Sequence, residues 1–153
     1  VIDEKAIGES TVLYLYYYKD AIKNIKEKLG NDVKIIIMLR NPADRAYSAF
    51  QHVSREFKEQ NSFEKSLEME DGRLERDGNL TPMVMYKDMG LYYEMVKAYQ
   101  ENFKDVHIVI YDDFRDDTES EMKKTYQFLG ISDNKDIDYE TRHNIGGKRW
   151  KII

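Results

Sequence analysis

The stretch KIIIMLRNPADRAYSAFQHVSREF, residues 34–57, decides the fold. Ile35 to Leu39 are apolar without polar alternation, which predicts a central parallel strand over Lys34–Leu39, covered on both faces. Arg40 ends the run. Asn41 is a good helix N-cap and Pro42 a good first helical residue, and Asp44 places negative charge in the first turn, where the helix dipole favours it. Ala43, Ala46, Tyr47, Phe50, Val53 and Phe57 then make one apolar stripe, so a helix is expected from Pro42 to about Phe57.

Outward from this stretch the pattern continues as alternating helices and strands. Tyr14, Tyr18, Ala21, Ile22, Ile25 and Leu29 fall at helical spacing and Gly30 is a natural stop, so a helix is expected from about Leu15 or Tyr18 to Leu29. Upstream, Val1–Gly8 reads as a short strand. Downstream, residues 58–87 are polar and mixed, with a short helix expected over Ser62–Met69, turns at Asp71-Gly72 and Asp77-Gly78, and a break at Thr81-Pro82. That stretch suits a surface excursion over a site. Asp88–Phe103 reads as a strong helix with Leu91, Tyr92, Met95, Val96, Tyr99 and Phe103 buried, and Val106–Tyr111 as a second apolar strand. A last helix opens at Asp116-Asp117-Thr118 and closes at Gly130. The whole is an α/β pattern with parallel strands.

Composition narrows the chemistry. The chain has 153 residues, 41% of them hydrophobic and 35% charged, which suits one folded domain with a real core. It has no cysteine, so disulfides, thiolate nucleophiles and cysteine-based zinc sites are excluded. Its three histidines, His52, His107 and His143, show no ligand spacing, and no metal is expected. The net charge of −5 disfavours nucleic acid as a partner. No apolar run reaches the roughly 20 residues that span a bilayer. The C-terminal residues 142–153 are the exception to the acidic balance, with Arg142, Lys148, Arg149 and Lys151. A first residue of Val rather than Met suggests a piece of a longer protein. Absence of cysteine and of a membrane segment favours the cytoplasm; a lumenal compartment stays open if a targeting segment precedes Val1.

In parallel α/β sheets, ligands collect beyond the carboxyl ends of the strands. Arg40 lies there after the first strand, and Asp112 and Asp113 after the second. A guanidinium beside helical N–H groups makes a good phosphate site. Ser48 lies eight residues after Arg40, and His52 one helical turn further. A plainer reading competes: Arg40 pairs with a local acid such as Asp44, Ser48 packs, and His52 is a solvated helix residue.

Arg40-Asn-Pro-Ala-Asp-Arg-Ala-Tyr-Ser48, followed by His52, resembles the 3′-phosphate-binding segment of sulfotransferases that use 3′-phosphoadenosine 5′-phosphosulfate (PAPS), closest to the heparan sulfate N-sulfotransferase type. Gly8-Glu9-Ser10-Thr11 with Tyr14-Leu15, Gly90-x-Tyr92, Ile110-Tyr111-Asp112-Asp113-Phe114, Phe128-Leu129-Gly130 and Asn144-Ile-Gly-Gly-Lys148 resemble further landmarks of that family. The resemblance implies a P-loop-NTPase-like three-layer fold with a central parallel sheet. It implies that Arg40 and Ser48 hold the 3′-phosphate and that Lys148 and Arg149 close over the cofactor. It also implies that Glu9 is the catalytic base, with His52 a second candidate for acid–base work. The family's lysine after that glutamate is replaced by Ser10. The family's first strand and its K-x-G-T-S/T loop for the 5′-phosphosulfate are not found before Glu9.

The expected activity is sulfuryl transfer from PAPS to a hydroxyl or amine acceptor, carbohydrate by resemblance, leaving adenosine 3′,5′-bisphosphate. Two alternatives remain. A nucleotide kinase would need a G-x-x-x-x-G-K-S/T loop, which this sequence lacks. A non-catalytic nucleotide-binding or interaction module would keep only the 3′-phosphate pocket.

Overall fold

A computed structural model describes residues 6–55, 59–76, 82–132, 137–139 and 141. Those residues fall into two compact units. One holds the residues up to Arg40 and those from Tyr92 to Tyr139; the other holds Asn41–Leu91 with Thr141.

The first unit is built on a parallel two-stranded sheet. β1 (Lys34–Leu39) pairs with β2 (Asp105–Ile110) in the register Lys34↔Asp105 to Leu39↔Ile110. Side chains alternate between faces along each strand. One face, with Ile35, Ile37, Leu39 and Val106, meets α2 (Tyr18–Leu29) and α6 (Tyr92–Asn102). Ala21, Ile22, Ile37, Tyr99 and Phe103 are the buried centre of that core. A short helix, α1 (Leu13–Tyr16), leads into α2. On the other face, His107 of β2 stacks on Phe128 and bonds to Thr125, both on α8 (Thr118–Leu129). Helices therefore cover both sides of the sheet, which is the expected three-layer α/β arrangement.

The expected full cover of the first strand is not what the described residues show. Ile36 and Met38 are 43% and 49% exposed. They lie on the face that α8 covers at β2, and at β1 no comparable cover is present among the described residues. A continuous apolar run marks a strand whose two faces can both be covered; it does not supply the covering helix.

Local signals set most boundaries in this unit. Gly30 ends α2 at φ +84°, and Gly130 ends α8 at φ +76°, in the left-handed region where glycine carries no side-chain penalty. Asp117 caps α8 by accepting from the Ser120 amide at 3.0 Å. The second strand ends one residue earlier than expected, because Tyr111 opens a short helix, α7 (Tyr111–Asp116). Asp112 lies in its first turn and pairs with Arg115 at 2.8 Å, rather than standing at a strand end. Of the strand expected over Val1–Gly8, residues 1–5 lie outside the described residues, and residues 6–8 carry no regular structure.

The second unit is organised around α3 (Pro42–Arg55). Its stripe buries Ala46 and Val53, leaves Ala43 and Tyr47 exposed, and its last expected member, Phe57, lies outside the described residues. α4 (Phe63–Glu68) starts at the cap Ser62, as the sequence suggests, and α5 (Glu70–Arg76) follows. Asp71-Gly72 is inside α5 and not a turn. Asp77-Gly78 and Thr81 lie outside the described residues. Residues 82–90 form two 3₁₀ turns, Pro82–Val84 and Asp88–Gly90. The helix expected from Asp88 thus begins only at Tyr92, and Leu91 is exposed rather than buried.

The 58–87 stretch carries a core of its own. Val84, Met85 and Tyr86 are buried, Tyr86 completely, with the rings of Phe50 and Phe63 against Tyr86. Two carboxylates are buried with them. Glu59 accepts from the Arg73 guanidinium and from the Asn61 amides. Glu70 accepts from the backbone amides of Lys87 and Asp88, each at 2.8 Å at the nearest. Buried charge is tolerated only where it is paired or bonded, and both groups meet that condition.

Candidate active site

Arg40 follows β1 at the carboxyl end of the sheet, half-buried. Its guanidinium lies over the ring of Tyr111 with 4.9 Å to the centroid. The register explains the meeting: Leu39 pairs with Ile110, so the next residue on each strand is Arg40 and Tyr111. Such a contact attracts the cation to the ring face, by about 0.5–1 kcal/mol at sites open to water, and holds the guanidinium plane. No carboxylate of its own unit pairs with Arg40 among the described residues.

α3 starts as the sequence predicts. Asn41 Oδ1 accepts from the amides of Ala43 at 3.0 Å and Asp44 at 3.4 Å. This cap changes the anion-site reading in one respect, because those first-turn N–H groups are already engaged. The cationic side chain, not the helix amides, carries the charge at the end of β1. Ser48 is half-buried on α3, and His52 is exposed one turn beyond it. Arg40 closes the first unit, whereas Ser48 and His52 belong to the second.

Glu9 precedes α1. It accepts a hydrogen bond from the Tyr14 hydroxyl at 2.5 Å, and that bond, followed by burial, pushes the Tyr14 hydroxyl up from its ordinary pKa. Tyr14 is tied in turn, its backbone carbonyl accepting from Tyr99 OH at 2.9 Å. Burial, followed by the neighbouring Tyr14, pushes the Tyr99 hydroxyl up to about 12. Tyr99 thus stays a neutral donor across the working pH range. Of the other tyrosines near the chain start, Tyr18 packs on the core, and Tyr16 and Tyr17 meet edge to face at 5.1 Å.

Arg45 has a defined task in the second unit. It donates to the carbonyl of Tyr86, which ties α3 to the 82–90 segment. Lys148 and Arg149, and the rest of the basic tail from Arg142, lie outside the described residues. Among the described residues no group of acidic or histidine side chains is placed to hold a metal ion, and no helix is long and apolar enough to cross a membrane.

Sequence reading missed two partners. Tyr111 reads as a buried strand residue, and only the strand register shows that it stands beside Arg40. Tyr14 reads as part of the landmark from Gly8 to Leu15, and only the structure shows that its hydroxyl meets Glu9.

A parallel α/β unit of this kind belongs to the class of folds whose ligands collect beyond the carboxyl ends of the strands, where Arg40 stands. The sulfotransferase domain family matches residues 21–145, and the chain belongs to that family. The match includes Arg40, Ser48 and His52; Glu9 precedes it, and Lys148 and Arg149 follow it. The crystal structure of a sulfotransferase from Alicyclobacillus acidocaldarius is similar, with a TM-score of 0.82 and 34% sequence identity over 94% of this chain. The chain spans 57% of the length of that one. No curated protein matches it.

Proposed function

We propose that the chain is the 3′-phosphate-binding part of a sulfotransferase that takes a sulfuryl group from PAPS to a hydroxyl or amine acceptor, a carbohydrate being the favoured class. The observation that carries the reading is Arg40, held on Tyr111 at the carboxyl end of β1 in a chain of the sulfotransferase family. A flat cationic fork of this kind suits a phosphate monoester. Arg40 and Ser48 are proposed to hold the 3′-phosphate, Arg40 by charge and Ser48 by a hydroxyl hydrogen bond. Lys148 and Arg149 are proposed as further cations toward the same ligand.

PAPS supplies the activated sulfuryl group when bound. The work of this chain is then positioning and proton transfer. Glu9 is proposed as the base that takes the acceptor's proton, with Tyr14 donating to the carboxylate and so orienting it. His52 is proposed as an acceptor contact or second acid–base group. The carbohydrate acceptor is supported only by the resemblance of residues 40–52 and 8–15 to the heparan sulfate type. The non-catalytic alternative keeps the same Arg40 pocket without turnover.

Calorimetric titration of the full-length protein with adenosine 3′,5′-bisphosphate tests the reading. Binding that weakens at least tenfold in Arg40→Ala is expected, since hydrogen bonds to charged groups are worth about 1.5–3 kcal/mol. Absence of binding, or binding that Arg40→Ala leaves unchanged, would overturn the pocket assignment. Sulfuryl transfer from labelled PAPS to a panel of glycans, phenols and amines separates enzyme from binding module and identifies the acceptor class.

A further inference from the structure

Gly90 stands close against the start of α3, where a side chain would be tight. A Cβ built there would lie 3.1 Å from Pro42 Cβ, 3.7 Å from Pro42 Cα and 3.9 Å from the Pro42 carbonyl oxygen. Gly90 does not have a positive φ, so its backbone would accept alanine. The constraint is therefore one of close approach, and the tight contact is to the Pro42 ring carbon Cβ, with the Pro42 backbone at ordinary van der Waals distance. Contacts at 3.1 Å require one partner to give by a few tenths of an ångström, and both partners are fastened.

On the Gly90 side, buried Glu70 accepts from the amides of Lys87 and Asp88, which lead into the 3₁₀ turn Asp88–Gly90. Arg73 donates to the Val84 carbonyl at 3.3 Å and so holds the preceding turn. On the Pro42 side, Pro42 opens α3 with its ring fixing φ, Asn41 caps the same turn, and Arg45 donates to the Tyr86 carbonyl. Ala46 and Val53 bury the helix behind this turn. Hydrogen bonds thus hold the chain on both sides of the contact.

Resting on the 3′-phosphate reading above, we propose that Gly90 is a positioning residue for the cofactor site. Its bare backbone, clamped by Glu70, sets where the first turn of α3 sits, and through α3 it sets Ser48. Gly90 touches no reacting group. Its effect is felt at the 3′-phosphate end of the ligand and not at the adenosine or 5′ end. The arrangement also gives a physical reason for a glycine at this point of the chain, two residues before Tyr92, where no turn conformation requires one.

The test compares adenosine 3′,5′-bisphosphate with adenosine 5′-phosphate on the full-length protein, by calorimetry. Gly90→Ala is expected to weaken the bisphosphate by up to about tenfold, the loss of the Ser48 hydrogen bond to the charged phosphate. The 5′-phosphate is expected to change by less than about twofold, because it lacks the group that Ser48 would meet. Adding Pro42→Gly to Gly90→Ala removes the opposing Cβ and is expected to restore the discrimination. An unchanged ratio of the two affinities in Gly90→Ala overturns the proposal, and so does an equal loss for both nucleotides, which is what general loosening would give. If Gly90→Ala does not fold, Glu70→Asp carries the test, because the shorter side chain withdraws from the Lys87 and Asp88 amides and releases the same turn. The same selective loss is expected from it, and a parallel loss or none overturns the proposal. Arg40→Ala separates the two levels. Discrimination kept in Arg40→Ala removes the 3′-phosphate reading itself and this inference with it. Discrimination lost in Arg40→Ala but kept in Gly90→Ala removes this inference alone.

Discussion

Glu59 offers the sharpest check on the energetics of the second unit. Its side chain is 3% exposed and is bonded to Arg73, whose side chain is 13% exposed. Burial pushes the Glu59 carboxyl up, but the Arg73 guanidinium and then the Asn61 amides outweigh it, and the pKa falls from the ordinary 4.5 to about 2. The folded state therefore binds the proton less readily than the unfolded chain. A depressed carboxylate contributes stability that is fully present above the unfolded value and is lost as pH falls through the folded one. At about 1.4 kcal/mol for each pH unit, the contribution is on the order of 3 kcal/mol above pH 5, draining away toward pH 2. Glu59→Gln keeps the shape but removes the charge, and leaves Arg73 buried beside a neutral amide. Urea unfolding of the purified protein, followed by circular dichroism at pH 7, 5, 4 and 3, reads the difference. With a slope of about 1–3 kcal/mol per molar urea, the midpoint of Glu59→Gln should fall by about 2 M at pH 7. The gap between variant and parent should narrow steadily below pH 5. A gap that does not change with pH, or one below about 0.3 M at pH 7, would show that Glu59 is not held ionised by Arg73.

Four further outcomes follow from other contacts. Glu9→Gln, if Glu9 is the base, lowers kcat by about 10²–10⁴-fold while calorimetric affinity for adenosine 3′,5′-bisphosphate stays the same; Tyr14→Phe lowers kcat by about tenfold with KM for PAPS unchanged. Ile37→Ala, in the centre of the first unit's core at 6% exposure, costs about 2–5 kcal/mol in urea unfolding. Asn41→Ala removes the cap from the Ala43 and Asp44 amides and costs about 1 kcal/mol in the same assay, and a loss below about 0.3 kcal/mol would show that the cap is idle.

The motif at residues 40–48 was legible because its parts are neighbours in the chain. A strand, its stop, an N-cap and a helix face are encoded over a few residues by periodicity and capping, and the structure has them where the sequence puts them. Family membership was legible for the same reason. The Asp71-Gly72 turn misreading has the opposite cause. Glu70, at the head of that segment, is anchored on amides at Lys87 and Asp88, and a helix forms where local preference suggested a turn.

What the sequence determined by itself was the α/β class, the strand Lys34–Leu39, the capped start of α3, the glycine stops at Gly30 and Gly130, and Arg40 as the residue to watch. The tertiary structure alone decided that Tyr111 supports Arg40, that Tyr14 holds Glu9, that Ile36 and Met38 stay exposed, and that Gly90 touches Pro42. The physical reason is range. Caps, stops and hydrophobic period act within a turn or two of chain. The partner of a cation, the burial of a carboxylate and the closeness of Gly90 to Pro42 depend on residues brought together from 5 to 71 positions apart, the separations of Tyr14 from Glu9 and of Tyr111 from Arg40.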